Sequence, residues 1–238
     1  MRNLALAAAL GAAVFASPAL AANTVSGTTS ATFTNPQPST GVTTGIGTAN
    51  VTWGTAATDV NKDFKANSLS FKSNSPFAAA LGQQFTIGSL TYYNGTILNG
   101  TELTGLTFNL SINFTDPALG LLTKSFALGL KSTPNTGTDD ENADYIYLPS
   151  LQSTANFTAN GQSYAFELRG FANVKGDGYL NSTSREFHVR ENGTATADVY
   201  GVLTAVPEPA TWAMMLVGFG MVGAATRYRR RSTKAAIA

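Results

Sequence analysis

Thr107-Phe108-Asn109-Leu110-Ser111-Ile112-Asn113-Phe114-Thr115 decides the fold. Phe108, Leu110, Ile112 and Phe114 alternate with Asn109, Ser111 and Asn113, so apolar side chains fall on one face of an extended chain and polar ones on the other. That is a half-buried antiparallel strand with one wet face. Shorter runs of the same kind recur around 30–33, 49–53, 68–71, 84–87, 124–130, 145–148, 164–168, 186–190 and 195–203. Turn material separates them: Asn35-Pro36, Asn94-Gly95, Asn99-Gly100, Asp116-Pro117, Asn160-Gly161, Asp177-Gly178 and Asn192-Gly193. Many short strands with almost no helical periodicity before Pro209 predict an all-β, antiparallel β-sandwich or jelly-roll-like domain.

The two ends read differently. Arg2, the apolar run Leu4 to Phe15, Pro18 and Ala19-Leu20-Ala21 form the three regions of a secretory signal peptide over 1–21, with cleavage expected after Ala21 or Ala22. At the far end, 210–226 is a charge-free stretch of 17 residues followed by Arg227, Arg229, Arg230, Arg231 and Lys234. Length and flanking charge predict a single C-terminal transmembrane helix with a basic cytoplasmic stop, holding the chain at the membrane before processing. The 22–205 ectodomain between the ends is short enough to be one domain.

Charge and composition exclude several functions. Residues 22–206 hold nine Lys and Arg against thirteen Asp and Glu, so the exported part is about four units negative although the whole chain is formally +1. Nucleic acid needs a basic field, and no such partner is expected. The absence of cysteine removes disulfides, thiolate metal sites and cysteine nucleophiles.

Val206-Pro207-Glu208-Pro209-Ala210-Thr211-Trp212-Ala213-Met214-Met215-Leu216-Val217-Gly218-Phe219-Gly220, with the arginines after it, closely resembles the PEP-CTERM sorting signal over 206–231. The resemblance implies recognition by exosortase, a membrane protease-transpeptidase, and delivery to the envelope or extracellular matrix of a Gram-negative bacterium. Pro207 and Pro209 lack an N–H and fix φ, which keeps the motif extended as a protease cleft requires. The ectodomain resembles the choice-of-anchor K (THxN) group at Phe33-Thr34-Asn35-Pro36, Val51-Thr52-Trp53-Gly54, 85–95 and Thr133-Pro134-Asn135-Thr136. Tyr92 stands where that group's name motif has His, so nothing resting on an imidazole there transfers.

Candidate chemistry is sparse. His188 is the one histidine, and Gly161-Gln162-Ser163-Tyr164-Ala165 is a degenerate nucleophile turn without its second glycine. Carboxylate pairs for polysaccharide hydrolysis or lysis would come from Glu167, Glu186 and Glu191, each with an arginine close by in sequence that favours an ion pair instead. Asp139, Asp140, Glu141 and Asp144 form the densest acidic cluster and are candidate Ca²⁺ ligands, although their order is not that of an EF-hand and a solvated loop competes. Asp177 is a weaker candidate. Trp53, Tyr92 and Tyr93 are candidate carbohydrate contacts, with Tyr145, Tyr147 and Tyr179 in the same group of aromatics; burial inside the sandwich is the competing reading. No catalytic residue is assigned and no cofactor is required. The expectation is an exported non-enzymatic structural or carbohydrate-binding module, the alternative a sandwich-fold polysaccharide hydrolase or lyase.

Overall fold

Alternation at period two becomes two curled antiparallel sheets in the computed structural model, which describes residues 24–38, 42–150, 154–177, 182–206 and 209–235. The strands in chain order are β1 (Thr24–Gln37), β2 (Thr43–Thr44), β3 (Asn50–Trp53), β4 (Asn67–Ser73), β5 (Phe77–Ala80), β6 (Gln84–Tyr93), β7 (Gly105–Asp116), β8 (Gly120–Lys131), β9 (Asp144–Tyr147), β10 (Thr154–Ala159), β11 (Gln162–Gly176), β12 (Glu186–Val189) and β13 (Thr194–Val206). One sheet runs β12-β9-β8-β7-β1-β5 and the other β10-β11-β13-β6-β4-β3-β2. In β7 the predicted parity holds: Phe108, Leu110, Ile112 and Phe114 are buried, and Asn109 and Ser111 face outward. Asn109 donates to the Thr34 hydroxyl at 2.8 Å and accepts from Ser125 at 2.7 Å, so the outer face is an uncharged polar ladder across β1, β7 and β8.

Rings from the two sheets meet in one core. Phe71 of β4 packs edge-on to Phe108 of β7 at 5.3 Å, Phe77 of β5 stacks on Phe85 of β6 at 5.1 Å, and Phe114 of β7 stacks on Phe157 of β10 at 5.9 Å. At the other end Phe187 of β12 lies against Tyr92 of β6 and Phe171 of β11. Each such pair adds about 0.5–1.5 kcal/mol to the area it buries. A register shift opposite Val199/Tyr200 leaves Ile87 and Gly88 of β6 both buried, and it resets the alternation so that Leu90 and Tyr92 point inward.

The tail forms one helix, α1 (Pro209–Ala235), opening on a proline, which suits a first helical turn. Met214, Leu216, Phe219 and Val222 on it are each more than half exposed. Among the described residues no helix is long and apolar enough to cross a membrane, which corrects the spanning helix expected over 210–226. Seventeen residues rise only about 25 Å against a hydrocarbon core of about 30 Å. Gly218, Gly220 and Gly223 dilute the run further. Arg227 is exposed on α1. The side chains of Arg229, Arg230, Arg231 and Lys234 lie outside the described residues, as do the signal peptide over 1–21, Pro207, Glu208 and the side chain of Pro209.

Candidate functional site

Successive residues of β9 face opposite ways, and each face builds a different site. Asp144 and Ile146 point inward and are buried, while Tyr145 and Tyr147 face outward and are half-buried.

On the inner side, Asp144 is 3% exposed and accepts hydrogen bonds from the Thr133 backbone N–H at 2.7 Å and the Thr133 hydroxyl at 3.2 Å. It lines a recess of about 280 Å³ with Glu102, Glu191, Thr133 and Asn135. Burial pushes its carboxyl up to about 6, the Thr133 backbone N–H opposes that, and the charge of Glu191 adds to it. Glu191 accepts from the Thr96 hydroxyl. The Tyr92 phenol is pushed well above its ordinary range by burial, then by the charges of Asp144 and Glu191. A carboxyl lifted to about 6 is mostly ionised at neutral pH and takes up its proton in mildly acid surroundings, which brings it within reach of acid-base chemistry.

The four candidate Ca²⁺ ligands are not assembled. Asp140 accepts from Arg190 Nε and lies 3.0 Å from Arg190 Nη2, and Glu141 caps its own turn by accepting from the Thr138 N–H and hydroxyl. Those bonds hold the Glu141 carboxyl below its ordinary range. Asp139 is exposed and Asp144 is turned inward to Thr133. Among the described residues no three His, Asp or Glu side chains are grouped to hold a metal ion. In this loop three of the four carboxylates are taken up by separate donors, Asp140 by Arg190, Glu141 by Thr138 and Asp144 by Thr133. Asp177 accepts from the Thr194 N–H at 3.3 Å in the same manner.

The three glutamates weighed as a catalytic pair are likewise separated. Glu167 pairs with Arg169 on the outer side of β11, Glu186 stands on the outer side of β12, and Glu191 lines the recess. Asp144, weighed in the sequence as a metal ligand, shares the recess of Glu191 together with Glu102. The visible signal was its place in Asp144-Tyr145-Ile146-Tyr147, on the parity of Ile146. His188 Nε2 is 3.1 Å from the Glu186 carboxylate, whereas Ser163 lies on β11 in the other sheet.

Two of the three carbohydrate candidates are corrected. Trp53 and Tyr92 are each 3% exposed and stack on one another at 5.7 Å and 15°, so neither ring offers a face to a ligand. Both share the parity of apolar neighbours, Val51 and Leu90, and turn inward with them. Tyr93 is half-buried on the outer side of β6. Tyr179 lies outside the described residues.

Outward rings are found at Tyr145 and Tyr147. Tyr145 stacks on His188, its partner across the strand pair, at 4.4 Å and 21°, and Tyr147 stands 5.9 Å from Tyr145, tilted by 53°. Gly129 of β8 pairs with Tyr147, and a Cβ at 129 would sit 2.1–2.6 Å from Cζ, Cε1 and Cε2 of that ring. The ring therefore lies flat over the glycine backbone.

Comparison with known families finds the PEP-CTERM protein-sorting motif at residues 205–231. None of the curated proteins matches the chain. The motif supports an extracellular protein sorted by exosortase and implies export to the surface or beyond.

Proposed function

We propose that this chain is an exported, exosortase-sorted cell-surface or matrix protein of a Gram-negative bacterium, with a β-sandwich ectodomain of the choice-of-anchor K type acting as a non-enzymatic, carbohydrate-binding module. The sorting motif at 205–231 carries the first half of this reading. For the second half, support comes from two sheets joined by one aromatic core, an outer face of hydroxyl and amide side chains, and outward tyrosines at one corner.

Replacing Pro207, Glu208 and Pro209 together by alanine in the full chain, followed by cell fractionation, tests the sorting half. The variant is expected to stay with the cell as an unprocessed species while the parent reaches the surface or medium. Equal surface delivery of both would defeat the reading.

A polysaccharide-cleaving enzyme is favoured by one observation, the Asp144 carboxyl raised to about 6 in a recess shared with Glu102 and Glu191. Under that reading Asp144 donates a proton and Glu191 acts as base or nucleophile. Turnover of a polysaccharide that disappears in Asp144→Asn would establish it and displace the binding role.

A further inference from the structure

We propose that the outer-face corner of β8, β9 and β12 is a binding subsite for a neutral, β-linked polysaccharide ribbon, with Tyr147 as its floor and Tyr145 as its wall. The proposal rests on the carbohydrate-binding reading above and names the site and ligand class for it.

The register lays the corner out in two rows. Gly129, Tyr147 and Glu186 are direct neighbours across three strands, and Lys131, Tyr145 and His188 form the adjacent row. In the first row glycine removes the side chain that would otherwise prop the Tyr147 ring upright. Its ring lies over the Gly129 backbone and stays partly exposed. In the second row His188 stacks against Tyr145, whose ring is tilted by 53° from that of Tyr147. Two rings tilted against each other on the outer face make a corner. The C–H face of a pyranose covers such a floor, and the weakly polarised C–H bonds meet the negative face of the π system.

Polar groups border the rings where sugar hydroxyls would project. Glu186 lies 3.1 Å from His188 Nε2 with its side chain 44% exposed; Lys131 is exposed on the opposite flank. A carboxylate and an ammonium on either side can receive and give hydrogen bonds to hydroxyls at once. The first row continues through Gly105 and Gln37, and the ladder of Thr34, Asn109 and Ser125 adjoins it. This continuation is uncharged and runs in register across neighbouring strands, a line that an extended ribbon follows better than a coiled chain.

Charge selects the ligand further. Glu186 stands in the corner itself, and residues 22–206 carry about four net negative charges, so a polyanionic polysaccharide would be repelled.

The test is affinity electrophoresis of the full chain in native gels containing hydroxyethylcellulose, with dextran and alginate gels in parallel and melting temperatures measured on every variant. Retardation in hydroxyethylcellulose is expected, at least tenfold weaker in Tyr147→Ala and in Tyr145→Ala, retained in Tyr147→Phe, and unchanged in Tyr93→Ala on the other sheet. No retardation in hydroxyethylcellulose overturns the proposal, as does stronger retardation in alginate or dextran. Retardation that survives both alanine changes leaves a glycan-binding module standing and removes this corner as its site. A dimer dissolved by Tyr147→Ala, without glycan retardation, would assign the corner to self-association and overturn the proposal equally.

Discussion

Trp53 and Tyr92 on one side, and Tyr145 and Tyr147 on the other, are similar in chemistry and opposite in fate. The first pair stack on each other inside, each 3% exposed; the second stand half-buried on the outer face of the six-stranded sheet. Residue type sets what a ring can do, and strand parity sets whether anything outside the protein can meet it. In β3 the ring shares parity with Val51, and in β6 with Leu90, so both turn inward. In β9 the apolar residues of the inner face are Ile146 and, just beyond the strand, Leu148, which leaves the tyrosines outside.

Truncation reads this difference most directly. Trp53→Ala is expected to cost about 3–5 kcal/mol, since it empties part of a packed core. Tyr145→Ala should cost no more than about 1 kcal/mol, the scale of one cross-strand pair on an open face. Thermal or urea unfolding of the two variants measures both, and equal losses would break the comparison.

The same alternation explains what was legible in advance. Strand existence, antiparallel class and the inward face of β7 follow from nine residues, and the sorting tail from a tripeptide, an apolar run and a basic cluster. The recess was not legible. Asp144, Thr133, Glu102 and Glu191 are distant in sequence and meet only after β8, β9 and β12 pair. Nor does any local rule bring Arg190 to Asp140 across 50 residues, the contact that takes one carboxylate out of the expected Ca²⁺ loop. The flat tyrosine was half legible, because parity puts Tyr147 outside but only the register with Gly129 lays it down.

Asp144 extends the comparison to a neighbouring pair, since it is the inward partner of outward Tyr145. Its carboxyl moves from the ordinary 3.8 to about 6 on folding, so the folded protein holds that proton more tightly than the unfolded chain does. The contribution to stability is fully present below pH 3.8, falls as pH rises through 6, and is flat above; a displacement of this size corresponds to roughly 3 kcal/mol. Asp144→Asn keeps the acceptor for Thr133 and removes the titration. Urea unfolding across that pH range should show the parent losing stability and the variant losing less, leaving the variant up to about 3 kcal/mol more stable than the parent at pH 7. An unchanged slope in the variant would place the titrating group elsewhere.

Gly129 gives the smallest effect and the most specific one. Glycine inside a strand ordinarily weakens it, and alanine at a compatible position gains about 0.4–1 kcal/mol through the unfolded chain. Here the added Cβ would stand 2.1 Å from Tyr147 Cζ, so Gly129→Ala must lift the ring from the sheet and is expected to cost about 1–2 kcal/mol instead. If the ring is the cause, the sign reverses once the ring is gone: in a Tyr147→Ala background the same change becomes neutral or mildly stabilising. A double-mutant cycle by urea unfolding reads this as a coupling between the two positions. A loss of the same size in both backgrounds would mean that the backbone at 129, rather than the outward tyrosine, requires the glycine.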